Sequence, residues 1–140
     1  MFRILSATAF AVSLIALSSA SSQPNEVRLR FEVYKGKDKQ FWWRLKSSNG
    51  EIIATCGQGF KVAADTVPEI MLVQKVASDD TMVFETYVDD RKQTRWRLKS
   101  ANGQTIATCP DGFKSKADAE KVIATIREHV ARAELAEVRH

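Results

Sequence analysis

The stretch Trp43–Phe60, WRLKSSNGEIIATCGQGF, decides the fold, because the chain writes it again at Trp96–Phe113 as WRLKSANGQTIATCPDGF. A shift of 53 positions superposes the two without a gap. From Phe31 to Lys61, 19 of 31 positions match their counterparts from Phe84 to Lys114. Chance at average composition gives about two. The chain carries an internal duplication, and each copy should build the same elements.

Within a copy, Arg28–Lys35 alternates and is rich in Phe, Val and Tyr, as a half-buried strand requires. Phe41–Ser47 reads as a second strand and Glu51–Cys56 as a third. Between them stands Asn49-Gly50, repeated as Asn102-Gly103, which predicts a type I′ hairpin turn. A helix follows each third strand. In the second copy Ser115 is the expected N-cap, with Asp118 three residues on. Ala119, Val122, Ile123, Ile126 and Val130 recur at helical spacing behind it. In the first copy Pro68 falls where Lys121 stands, too deep for a helix begun at Ala63. There Thr66 is the expected N-cap and Val67–Val76 the helix, with Pro68 in its first turn. Ser78-Asp79-Asp80 reads as a turn and Thr81–Val88 as a strand. Leu135–Arg139 suits either the helix end or a short strand.

The pattern F-E-x-Y, then W-R-L-K-x-x-N-G-x-x-I-A-T, then G-F-K before a helix, resembles the YegP-like repeat. That is a bacterial and archaeal family whose domain is of unknown function. The resemblance covers nearly all of the chain after residue 20, twice. It implies an α+β fold in which each repeat has three strands, a helix and an extra strand. Two repeats would exchange their last strands in one antiparallel sheet, with both helices on one face and a pseudo-two-fold axis. Single-repeat members pair as dimers, so this chain is expected to be a monomer with an internal pseudo-dimer. The expected divisions are residues 26–78 for repeat 1 and 79–140 for repeat 2, together one compact domain. The family supplies no catalytic residues. This sequence departs from it in its opening segment and in having two cysteines.

That opening segment, residues 1–20, has the form of a cleaved signal peptide: Arg3, an apolar run from Ile4 to Leu17, then Ser18-Ser19-Ala20. The run is 14 residues long, whereas a spanning helix needs roughly 20. The protein is therefore expected in the periplasm or secreted, with no membrane insertion after cleavage. The formal net charge of the full chain, +4, suits a solvated surface better than a dedicated polyanion binder.

Strand alternation sorts the candidate binding residues. Trp43 and Leu45, with Trp96 and Leu98, should lie beneath the helices. Trp42, Arg44, Lys46, Arg95, Arg97 and Lys99 point the other way, joined by Tyr34 and Tyr87. This basic, partly aromatic set fits an anionic polymer or an acidic protein as partner. The plainer reading is an ordinary solvated sheet face. Glu32 and Glu85 share its parity and dilute the field through cross-strand pairs, and duplication alone repeats the cations.

Cys56 and Cys109 occupy equivalent positions. A disulfide between them and two free, mostly buried thiols are both open states. The bond requires both to lie near the two-fold axis, and third strands placed toward the sheet edges would hold them apart. No Cys-x-x-Cys occurs, and His129 and His140 are the only imidazoles, so no metal or cofactor is expected. No nucleophile elbow, phosphate-cradling glycine loop or zinc-protease helix motif occurs either. The expectation is a small non-catalytic binding module. An envelope-associated enzyme with an unrecognised site and a purely structural protein are the alternatives.

Overall fold

The computed structural model describes residues 27–137. The signal-peptide reading concerns residues outside this range, as does His140. The first copy forms β1 (Leu29–Lys35), β2 (Phe41–Ser47), β3 (Ile52–Cys56) and helix α1 (Thr66–Gln74). The second forms β4 (Val83–Val88), β5 (Thr94–Lys99), β6 (Thr105–Thr108) and α2 (Lys116–His129). A last strand, β7, runs from Glu134 to Glu137.

All seven strands join one sheet in the order β4-β5-β6-β3-β2-β1-β7. The third strands sit at its centre rather than toward its edges, with Thr55 opposite Thr108 and Cys56 opposite Ala107. Each copy contributes an antiparallel meander on its own side of that seam. The sheet is mixed, not wholly antiparallel, because β7 lies parallel to β1. Leu135–Arg139 thus resolves in favour of a strand over its described part.

The expected exchange of last strands is one-sided. β7 crosses from the second copy to cover β1, but among the described residues nothing covers β4 in return. The reason lies in chain length. The counterparts of Glu134–Glu137 at the 53-residue offset are positions 81–84, and the chain there is already entering β4. One segment cannot serve as the extra strand and as the next copy's first strand. The effect on burial is direct: Glu32 on β1 is 4 % exposed, while the side chain of Glu85 on β4 is 40 % exposed.

Both helices cover one face. Ile70 and Val73 of α1 and Ile126 of α2 join Phe31, Trp43, Leu45, Trp96 and Leu98 of the sheet in one buried core. In each copy a phenylalanine meets the tryptophan edge-on at 5.4 Å, Phe31 with Trp43 and Phe84 with Trp96, a favourable aromatic geometry.

Two local expectations change. The Asn-Gly loops are one residue longer than a type I′ turn: Gly50 N donates to Ser47 O, and Ser47 N to Glu51 O. Gly50 and Gly103 have φ of 88° and 85°, whereas neither Asn49 nor Asn102 has a positive φ. This is a type I turn closed by a left-handed glycine. Asn49 instead accepts from Glu51 N through its side chain. The second change is at α1. A 3₁₀ turn at Ala63–Asp65 feeds directly into the helix, so Thr66 is already helical. Its hydroxyl donates back to Ala63 O and does not cap; the helix ends at Gln74 rather than Val76. In α2 the cap is as expected, with the Ser115 hydroxyl accepting from Asp118 N at 3.2 Å.

Candidate functional site

The face away from the helices carries the candidate binding residues. Trp42, Arg44, Lys46, Arg95, Arg97 and Lys99 are half-buried there, as are Tyr34 and Tyr87. Their alternation partners Trp43, Leu45, Trp96 and Leu98 are wholly buried. Pairing register lines up six residues straight across the sheet: Glu32, Arg44, Thr55, Thr108, Arg97 and Glu85. The two threonine hydroxyls meet in the middle at 3.3 Å.

Each arginine in that row is fixed from two sides. Arg44 Nε donates to Glu32 Oε1 at 2.8 Å, and its guanidinium lies 4.6 Å from the centre of the Tyr34 ring. Arg97 repeats this with Glu85 at 2.8 Å and Tyr87 at 4.5 Å. The pairs are charge-assisted and the stacks add cation–π attraction. Lys46 reaches Glu32 at 3.5 Å, and Lys99 reaches Glu85 at 3.4 Å. Arg30 adds a third cation to Glu32, at 3.1 Å.

The electrostatics follow from these contacts. Burial by itself raises the Glu32 carboxyl, but Arg44, Lys46 and Arg30 outweigh it and hold it below the usual carboxylate range. The Arg97 hydrogen bond does the same for Glu85, with help from Lys99. Carboxylates held down in this way stay ionised and make poor proton acceptors near neutrality. Arg95 bonds Asp89 at 2.7 Å. Six cations on this face therefore share three carboxylates. The face is positive but largely paired, and its cations are held in place rather than waving in solvent. Trp42 is likewise engaged, donating its indole N–H to Asp38 at 3.1 Å.

Cys56 and Cys109 are free buried thiols and not a disulfide. They lie near the seam, but the register is wrong for a bond. Cys56 faces Ala107, so Cys109 stands two residues further along the neighbouring strand. Diagonal neighbours of that kind are about 7–8 Å apart, beyond ordinary disulfide reach. Each sulfur instead accepts from the backbone N–H of its own copy's tryptophan, Trp43 or Trp96, at 3.3 Å. Burial pushes the Cys56 thiol up to about 11. Among the described residues no group of three or more His, Cys, Asp or Glu side chains is placed to hold a metal ion.

Several contributors were not singled out from the sequence. Asp89 sits in a turn, where no periodicity marks it, whereas Arg30 shares the alternation of Glu32 and Tyr34 and was legible from it. The Thr55–Thr108 contact was legible in principle, since the two are separated by the repeat offset itself. Glu69, in the first turn of α1, accepts the indole N–H of Trp43 at 2.7 Å.

Comparison with known proteins bears on the whole of this architecture. The family described as "Domain of unknown function (DUF1508)" matches residues 37–83 and again residues 89–137. The chain belongs to this family. As a DUF1508 protein it is 30 % identical over 108 residues to the "UPF0339 protein in ptx operon 5'region" of Stutzerimonas stutzeri, covering 77 % of this chain and 95 % of that one. A UPF0339 protein of Treponema denticola is 41 % identical over 54 residues, which is 39 % of this chain and 91 % of the relative. The matched length of 54 residues is close to the 53-residue repeat offset of this chain. Two solution structures share the fold. One is a UPF0339 protein of Shewanella oneidensis, with a TM-score of 0.68 and 24 % identity, covering 78 % of this chain and 90 % of that one. The other is the protein of unknown function yegP of E. coli, with a TM-score of 0.69 and 23 % identity, covering 79 % and 92 %. The α+β fold of this chain, one mixed seven-stranded sheet with two helices, is thus like that of these two solved structures.

Proposed function

We propose that this DUF1508 chain is a non-catalytic extracytoplasmic binding module. In this reading the two repeats act as one pseudo-two-fold body, a dimer folded into one polypeptide. The open sheet face takes an extended anionic polymer. The observation that carries the reading is the pair of immobilised arginines, Arg44 and Arg97. Each is clamped between a carboxylate and a tyrosine, and they flank the Thr55–Thr108 contact. Clamping lowers the side-chain entropy lost on binding, which otherwise erodes the gain from surface cations. The doubled, two-fold arrangement suits a partner that presents repeated negative charge. The cleavage signal at Ser18-Ser19-Ala20 supports the location.

The test uses dextran sulfate as the probe, followed by fluorescence anisotropy at two salt concentrations. Saturable, salt-sensitive binding should weaken at least about tenfold when Arg44, Lys46, Arg97 and Lys99 are all changed to glutamine. Equal binding by the quadruple variant, with its fold intact by circular dichroism, rules this face out. For the location, mass spectrometry of the protein from a fractionated host should find a mature terminus at Ser21 in the exported fraction. A full-length chain confined to the cytoplasm refutes that part.

A further inference from the structure

Duplication repeats Arg44 as Arg97 and Lys46 as Lys99, but it does not repeat Arg28, Arg30, His129 or Arg132 at one end of the sheet. There, where β1 begins and β2 ends, a groove of about 550 Å³ is lined by Arg28, Arg30, Lys46, His129, Arg132 and Glu134, among others. Glu32 offers one negative charge to Arg30, Lys46 and Arg44 together, leaving that cluster in positive excess. Arg132 is exposed and makes no ion pair among the described residues. Ser48 and Gly50 of the β2–β3 loop complete one wall.

A second groove, of about 470 Å³, overlaps the matching place in the other half: Asp79, Thr81 and Ser100 there are the counterparts of Arg132, Arg28 and Ser47, while Asp65 and Glu69 reach it from α1, and no lysine or arginine lines it. At the 53-residue offset, Arg132 becomes Asp79, Arg30 becomes Val83 and His129 becomes Val76. One ancestral position has therefore become basic in one half and acidic in the other. Duplication does not dictate that charge divergence, although the surroundings also differ: Glu134 of β7 lines the basic groove, and among the described residues no strand covers β4 in the other half.

We propose that the basic groove is a binding site for the phosphate group of a small phosphorylated molecule, held by Arg30, Lys46 and Arg132. Guanidinium forks match the oxygens of a phosphate group in bidentate geometry. A lysine supplies a compact point charge beside them, and the Ser48 hydroxyl a neutral donor. A volume of this size accommodates such a molecule rather than a lone ion. The site stands whether or not the open face has a partner.

The experiment is a titration of the isotopically labelled full-length protein with inorganic phosphate, read by amide chemical shifts, with chloride at matched ionic strength as control. Saturable shifts should concentrate at Arg30, Ser48, Gly50 and Arg132. The double variant Arg30→Val, Arg132→Asp installs the residues that the second copy already carries at the same offset. It should weaken binding at least about tenfold, while Arg91→Ala, on the turn between β4 and β5, should change it less than about twofold. Arg132→Ala alone, on the exposed turn before β7, gives the same direction should the double variant be destabilised. Shifts that chloride reproduces, or that survive both variants, overturn the proposal. So does Arg132-dependent co-sedimentation with phosphatidylglycerol vesicles when free phosphate gives no saturable shift, since the groove would then read a lipid surface.

Discussion

Trp43 donates its indole N–H to Glu69 at 2.7 Å, and this bond has no counterpart in the second copy. Trp96 is equally buried, yet among the described residues its indole nitrogen has no hydrogen-bond partner. The repeat offset explains the difference, because Val122 occupies the position of Glu69. A buried donor without a partner costs about 1–3 kcal/mol. Val122→Gln is expected to raise stability by about 1 kcal/mol through a bond to Trp96. Glu69→Val should lower it by about 1–3 kcal/mol by creating the same orphan in the first copy. Urea denaturation of both variants checks the pair; a Val122→Gln protein less stable than the parent contradicts the account.

The same glutamate gives a pH dependence of defined sign. Burial pushes the Glu69 carboxyl up, opposed by the Trp43 hydrogen bond. A carboxyl with a raised folded pKa stabilises fully below its unfolded value, and that contribution is lost as pH rises through the folded value. Glu69→Gln keeps a carbonyl acceptor for Trp43 and has nothing to ionise. Its stability relative to the parent should therefore climb between about pH 4 and pH 7. Melting curves across that range test the sign; a flat difference shows that Glu69 does not titrate as its burial requires.

Glu32 and Glu85 make matching contacts in unequal surroundings, because β7 covers only β1. Glu32→Gln removes the one buried carboxylate that Arg44, Lys46 and Arg30 share, and should cost about 2 kcal/mol. Glu85→Gln, at the exposed edge, should have a clearly smaller effect. Both carboxyls have lowered folded pKa values. Their contributions are present above the unfolded value and are lost as pH falls through the folded one, opposite in sign to Glu69. Equal losses in the two variants would mean that strand coverage does not set the strength of these pairs.

The thiols offer a simple assay. With its thiol pushed up to about 11, Cys56 is ionised to about one part in a thousand at pH 8, and only the thiolate reacts. Native protein should resist iodoacetamide at Cys56 for this reason and at Cys109 because the side chain is buried, and denatured, non-reduced protein should take up two labels. Fewer than two labels after denaturation would reveal a disulfide.

Lys39 and Lys92 hold φ of 66° and 64° in equivalent turns. The left-handed region costs a side-chain-bearing residue about 1–2 kcal/mol. Lys39→Gly and Lys92→Gly should each stabilise by up to about 1 kcal/mol, the flexibility of unfolded glycine offsetting part of the relief. Additive gains in the double variant are expected, since the turns lie in separate halves.

What the amino-acid order alone determined was the doubling, read from an exact 53-residue offset, and much that is local or periodic, though not the loop type at Asn49-Gly50 or the start and end of α1. The strands of each meander, the Ser115 cap and the sorting of Trp43 and Leu45 from Arg44 and Lys46 follow from spacing within a few residues. So does the parity that brings Glu32 to Arg44. Only the tertiary structure decided which strands meet across the copies. It placed the third strands at the centre, left the thiols diagonal, laid β7 parallel to β1 and kept β4 uncovered. The physical reason is that such contacts depend on chain length between elements and on competition for one segment, as at positions 81–84. The opposed charge of the two grooves belongs to the same class. Its residues come from a strand start, a loop and a helix end, which no sequence period connects and only folding gathers.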